Sequence, residues 1–375
     1  MANRRPPQVT ARPKVSARPQ VSTRRQVLAG GAAMACSLSA GHLHASGAAL
    51  HVPAEDARHE ATLMMWPNSR AVYDEPDFLD DTQRTIATIA NTIAAFEPVI
   101  LLAGAAHHRR IRRLMSEDVQ LWDIPTEDLW CRDAGPLFAF RGADRVVSHL
   151  QFDGWGGAQV HRHDARIAAR VAERFGVPVI ASGVVGESGG VEHDGVGLLL
   201  AHESSWVEPD RNPGLSRAQI EARLLAAYGA ERMIWTPGVQ DLDITDYHID
   251  SLARFTGPGR VLINLPPQPD PDDPFHTAAR QTHAALVAAG LEVDVIAEPR
   301  NRRVQNIDFV ASYANYYVCN GAVIAAQFGD RQADAAAVDA LRRHYPGREV
   351  IALNTDPLGE LGGGIHCATQ QVPAA

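Results

Sequence analysis

The chain has 375 residues, 45% hydrophobic and 21% charged, proportions that exclude a disordered, collagen-like or coiled-coil protein. Its 35 basic and 44 acidic residues give a formal charge of −9, unevenly spread. Seven of the basic residues fall within the first 25 positions, ahead of the first acid, Glu55; the remaining body, at net −16, repels phosphate backbones and argues against nucleic-acid binding.

The first element in chain order is a targeting segment, residues 1–49. Arg24-Arg25 precedes a weakly apolar stretch, Val27 to Ala40, with small residues around Ala45 to Ala49 suited to cleavage. A twin arginine before a short, Ala- and Gly-rich stretch predicts a Tat-type export signal behind a disordered basic arm, and hence a periplasmic or secreted protein. Cys36 follows Ala33 and Met34, a poor context for a lipoprotein cysteine. No later apolar run is long enough for a membrane span, so residues 50–375 read as one catalytic-sized body. It carries three cysteines, Cys131, Cys319 and Cys367; an odd number in an exported chain leaves at least one free thiol.

Amphipathic patterns predict helices at about 105–116, 164–175, 216–229, 276–290 and 331–344. Ser216 is an N-cap signal, and Gly290 and Gly347 close two of the others. A short apolar run follows each helix, with strand starts near 118, 177, 231, 291 and 348, so the unit recurs every 54 to 60 residues. That period indicates an internal structural repeat. A polar motif follows each strand: Trp130-Cys131-Arg132-Asp133, Glu187-Ser188-Gly189-Gly190, Tyr247-His248-Ile249-Asp250, Asn306-Ile307-Asp308 and Gly364-Ile365-His366-Cys367. Five equivalent units place these motifs at one end of one axis, in a single pocket.

Val52-Pro53-Ala54-Glu55 leading to His59-Glu60-Ala61-Thr62, Met65-Trp66-Pro67, the Trp130 to Pro136 segment, Phe152-Asp153-Gly154-Trp155-Gly156-Gly157, His248-Ile249-Asp250 and Gly362 to Gln371 together carry a resemblance. From residue 52 to its end, the chain is similar to agmatine deiminases and the bacterial, Porphyromonas-type peptidylarginine deiminases of the guanidine-modifying superfamily. The resemblance implies a single-domain α/β fold, the five-bladed pseudo-symmetric propeller called the pentein fold. It also implies a hydrolase that converts a guanidinium to a ureido group with release of ammonia, without cofactor or metal.

On this resemblance Cys367 is the nucleophile. A resonance-stabilised guanidinium carbon needs a strong nucleophile, and thiolate is the best a side chain offers. His248 is the general acid and then the base, with Asp250 two residues on and facing the same side of an extended segment. Asp133 and Asp250 clamp the cation through charge-assisted bonds. Glu187 orients and charges His248, although Ser188 stands where the family has glycine directly after the glutamate. Trp130 and Trp155 line a slot for the substrate's methylene stem. His366 is read as pointing away from its neighbour Cys367, Cys131 as packing, Asp308 as a helix cap outside the site, and the histidines at 107–108 and 161–163 as solvated.

Agmatine, with N-carbamoylputrescine as product, is the expected substrate, a peptidyl-arginine side chain the alternative, and the Tat machinery the expected export partner. With Ala375 the last residue, shortly after Cys367, the extra domain of secreted peptidylarginine enzymes is not expected. Free arginine would require a cation for its α-carboxylate. A metallo-ureohydrolase would need a dense Asp and His cluster that the sequence lacks. An exported binding protein for cationic metabolites would leave Cys367 unexplained.

Overall fold

Short buried runs of Val, Ile, Leu and Ala pair into five separate sheets in the structure, a computed structural model that describes residues 49–375. The predicted export signal and Cys36 lie outside the described residues. Within the compact unit Ala48–Ala375, four sheets repeat one order. A hairpin supplies two antiparallel strands, a helix follows, and a third strand returns parallel to the second. Thus Ala253–Gly257 pairs antiparallel with Arg260–Leu265, helix Pro274–Ala288 crosses, and Glu292–Ala297 pairs parallel, with Val261 beside Val293. The same order builds Leu137–Arg141, Asp144–His149 and Val179–Ala181 across helix Ile167–Phe175; Glu192–His193, Leu198–His202 and Arg232–Thr236 across Arg217–Tyr228; and Tyr317–Cys319, Ala322–Ala326 and Glu349–Leu353 across Arg331–His344. The repeat predicted from spacing is therefore present.

The fifth sheet joins sequence-distant segments. Thr369–Pro373 runs antiparallel to His59–Met65, which continues parallel to Val99–Ala103 and Val119–Asp123. Helix Pro76–Ala94, the longest in the described residues, links the first two of these parallel strands and was absent from the pattern reading. It buries Ile86, Ile89, Ala90 and Ile93, each isoleucine contributing about 1.5–3 kcal/mol by removal from water. Thr82, Gln83 and Thr85 share its buried side and blur the apolar stripe.

The five predicted helices all form, and the strand after each lies within two residues of its expected start. Ser216 makes a full capping box, accepting from the Gln219 N–H while the Gln219 side chain accepts the Ser216 N–H at 2.9 Å. Among the described residues no helix is long and apolar enough to cross a membrane.

Candidate active site

Each repeat offers its short entry loop, just before the first hairpin strand, to a common centre. Helix Cys131–Ala134 precedes strand Leu137–Arg141, turn Ser188–Gly190 precedes Glu192–His193, and turn Ile249–Ser251 precedes Ala253–Gly257. Asn315 stands two residues ahead of Tyr317–Cys319, and Cys367 two ahead of Thr369–Pro373. A loop at a strand end can aim a side chain without disturbing the ladder behind it, so the sheets act as scaffold and the entry loops as the site.

Cys367 is free, buried and held on two sides. Its sulfur accepts from Asn315 Nδ2 at 3.1 Å and donates to Asp250 Oδ2 at 3.4 Å. Its backbone N–H donates to Asn315 Oδ1 at 3.3 Å. Burial and the charges of Asp250 and Asp133 push the thiol well above its ordinary range.

His248 is also buried, between Glu187 and Asp133. Its Nε2 lies 3.2 Å from Glu187 Oε2, and its Nδ1 lies 3.6 Å from Asp133 Oδ1. Burial alone would depress the imidazole, but Asp133, Glu187 and Asp250 outweigh it and raise His248 to about 9. Asp133 is pushed up to about 7 by burial, with His248 opposing and Glu187 and Asp250 reinforcing. Trp155 Nε1–H donates to Asp133 Oδ2 at 3.0 Å, while Oδ1 has no hydrogen-bond partner. Glu187 is held low against its own burial by Arg211, whose Nε lies 3.5 Å away, and by His248. Asp250 is likewise held low against burial, chiefly by His366 and then by His248 and Arg254. Near neutral pH this centre is a thiol, an imidazolium, the carboxylates of Glu187 and Asp250, and a partly ionised Asp133 with an unpartnered oxygen. Its charge is complementary to a planar cation with several N–H donors.

Gly189 lies among these groups. A Cβ there would sit 2.7 Å from Asp133 Oδ1, 2.8 Å from His248 Nδ1 and 3.2 Å from Asp250 Oδ2, so Asp133, His248 and Asp250 converge on one point. The Trp130 ring packs against Gly363, whose own added Cβ would be 3.4 Å from the Cys367 sulfur. Half-buried Trp130 therefore borders the thiol, whereas Trp155 is buried edge-on against Phe152, 5.0 Å between ring centroids, and fixes Asp133. The seven residues expected at the site thus form one group.

Three expectations need correction. His248 and Asp250 do not share an extended segment; a 3-10 turn over Ile249–Ser251 brings them to one side. Residues 365–368 form a turn, not an extended run, so His366 faces Asp250, with its Nδ1 2.7 Å from Asp250 Oδ2. Asn306-Ile307-Asp308 is not the fourth contribution: Ile307 and Asp308 are exposed, and Asn315 takes that place. Asn315, Arg211 and Glu55 were missed. Asn315 shares with Asp133, Glu187, His248, Asp250 and Cys367 its place a few residues ahead of a strand, a position that only the fold makes visible.

Among the described residues, no group of three or more His, Cys, Asp and Glu is arranged to hold a metal ion. His108 Nε2 lies 2.9 Å from the Ala103 carbonyl and His161 Nδ1 2.7 Å from the Gln159 carbonyl, local backbone contacts.

The model of the family described as Porphyromonas-type peptidyl-arginine deiminase matches residues 51–373. A protein provisionally named agmatine deiminase from Streptomyces avermitilis is 34% identical, over 86% of this chain and 96% of that one. Its counterpart from Streptomyces coelicolor is also 34% identical, over 86% and 98%. The solved agmatine deiminase of Enterococcus faecalis, caught catalysing its reaction, superposes with a TM-score of 0.79 at 25% identity, covering 88% of this chain and 98% of that one.

Proposed function

Because the chain belongs to the Porphyromonas-type peptidyl-arginine deiminase family, we propose that it hydrolyses the guanidinium of agmatine to a ureido group and releases ammonia. The observation that carries this reading is the meeting of Cys367, His248, Asp133, Asp250 and Glu187 in one buried centre.

The cation enters between the carboxylates, with Asp133 Oδ1 and Asp250 accepting its N–H groups. Its positive charge offsets the two carboxylates that hold the thiol protonated, so substrate binding itself lowers the cost of forming thiolate. As the cation binds, the thiol proton leaves to solvent, and the thiolate attacks the guanidinium carbon. His248, protonated when the site is empty, gives its proton to the departing nitrogen; the C–N bond breaks and ammonia leaves an S-linked amidinium on Cys367. Neutral His248 then takes a proton from water, hydroxide adds to the same carbon, the C–S bond breaks with its electron pair to sulfur, and the hydroxyl proton passes to the sulfur to restore the thiol and leave the ureido product. Glu187, anchored by Arg211, holds the imidazole through both halves.

The substrate's far end is read from the arginines around the centre. Arg132, Arg211 and Arg254 each already pair with a protein carboxylate: Glu55, Glu187 and Glu192 respectively. None of these three is left to receive an α-carboxylate, which favours a decarboxylated guanidine. The names of the Streptomyces relatives point the same way. The family's own description favours a peptidyl-arginine side chain as the second reading.

We infer further that the five sheets are blades of a pseudo-symmetric propeller; the strand order repeated in four of them and the convergent entry loops support it. Export through the twin-arginine route and work in the periplasm or outside the cell remain part of the proposal, resting on Arg24-Arg25.

The test compares kcat/KM for agmatine, free arginine and an arginine-containing peptide, scored by ammonia and ureido product. Agmatine should lead. A peptide preferred by tenfold, about 1.4 kcal/mol of transition-state binding, would reverse the substrate assignment. Folded Cys367→Ser should release almost no ammonia; substantial turnover by it would remove the nucleophile from the mechanism.

A further inference from the structure

His366 has a carboxylate at each ring nitrogen. Nδ1 lies 2.7 Å from Asp250 Oδ2, and Nε2 lies 2.8 Å from Glu55 Oε2. Glu55, from the Val52-Pro53-Ala54-Glu55 opening, is anchored in turn by Arg132 Nη2 at 2.9 Å, Arg254 Nη2 at 3.0 Å and the Val318 N–H at 3.0 Å. Arg132 spreads over the same turn, donating from its side chain to Gln371 Oε1 at 2.8 Å and from its backbone to the Cys367 carbonyl at 3.0 Å. The result is a continuous line of side-chain contacts from the two arginines through Glu55 and His366 to Asp250. Every member is largely buried, so the loss of one partner is poorly compensated. Glu55, His366, Arg132 and Arg254 border a cavity of ≈ 30 Å³, a lining that includes neither Asp250 nor Cys367. The line therefore stands between that cavity and the reacting groups.

We infer that His366 and Glu55 are a positioning relay, in which Glu55 fixes the His366 ring and His366 aims the Asp250 carboxylate at the Cys367 sulfur and the substrate cation. The inference rests on the reading that Asp250 grips a guanidinium. His366 touches no substrate; it acts through Asp250, whose Oδ2 accepts both the imidazole and the thiol. Other charged groups also act on Asp250: His248 and Arg254 favour its anion, while the neighbouring carboxylates Asp133 and Glu192 oppose it.

The test follows the side-chain carboxyl carbon of Asp250 by NMR across pH, assigned by its disappearance in Asp250→Asn, in wild type, His366→Leu and His366→Gln. Loss of the imidazole donor in His366→Leu should raise the Asp250 midpoint by about one pH unit or more. It should lower kcat/KM for agmatine about 10²-fold and move the acid limb of the pH profile upward with the midpoint. His366→Gln keeps an N–H toward Asp250 and should restore the midpoint and most of the activity, which a merely space-filling role would not require. The wild type should also show a downfield, slowly exchanging Nδ1–H proton on His366; its absence would overturn the relay even if the variants fail to fold. An Asp250 midpoint equal in all folded variants would overturn it as well. A wild type that turns over no guanidine defeats the proposed function, while the Asp250 titration still decides the relay.

Discussion

Asn315 grips Cys367 with both ends of one amide, donating from Nδ2 to the sulfur and accepting the Cys367 backbone N–H at Oδ1. The same Nδ2 lies 3.4 Å from the Asp250 carbonyl, so one neutral side chain ties the thiol to the loop that carries its carboxylate neighbour. An amide suits this place because it can support a thiolate without adding charge to a site already rich in carboxylates.

Asn315→Ala should lower kcat/KM about 10²-fold by letting the sulfur drift from its line of attack. It should also cost about 1–3 kcal/mol of stability, since a buried backbone N–H loses its partner. Asn315→Asp should be worse for activity, because a fourth anion opposes thiolate formation. Denaturant melts alongside steady-state kinetics separate the two effects; activity of the alanine variant within threefold of wild type would show that the amide does not position the sulfur.

The pH profile of kcat/KM should be a bell whose limbs belong to the empty site. Asp133, raised to about 7, must be ionised to receive the cation, so activity falls as pH drops through that value. His248, raised to about 9, must be protonated to donate, so activity falls again as pH climbs through about 9. Both are apparent values of a coupled set of charges. Trp155→Phe removes the N–H that favours ionised Asp133, so it should shift the acid limb upward and leave the alkaline limb nearly in place. A limb that does not move would mean that another group sets it.

Gly189→Ala tests how tightly the centre is packed. The new methyl would press on Asp133 Oδ1 and His248 Nδ1 at distances shorter than van der Waals contact. Forcing them apart should reduce kcat/KM at least about 10²-fold and weaken cation binding to a Cys367→Ser background, measured by calorimetry. Unchanged binding would place the cation elsewhere.

Replacing Arg24 and Arg25 together by lysine should leave a full-length precursor in the cytoplasm, detected by fractionation and N-terminal sequencing. A wild-type protein found in the cytoplasm with Met1 intact would end the export proposal.

The repeat was legible because each crossing helix and its return strand carry strong, separable patterns. The hairpin strands were not. Leu198–His202 and Ala322–Ala326 are buried at every residue, so they show no alternation to distinguish them from buried helix. The charged site residues stood out because they sit in motifs that resemble the deiminase family and are the groups its chemistry needs. Asn315 and Glu55 did not: one is neutral, and the other lies far along the chain from every group it serves. His366 was misread because a turn of residues 365–368 places adjacent side chains in ways that strand alternation does not.

The pairing of Thr369–Pro373 with His59–Met65 fixes when activity can appear during synthesis. Cys367 precedes this late strand, whose partner leaves the ribosome hundreds of residues earlier, at a few to about 20 residues per second. The carboxylates, the imidazole and Arg211 can be assembled before the thiol has been made. Until then His59–Met65 keeps one edge open toward its missing antiparallel neighbour, the kind of edge that recruits wrong partners. The completing strand seals that edge and delivers the nucleophile in one event, so a partly made chain holds no working thiol to act prematurely on the cell's guanidines.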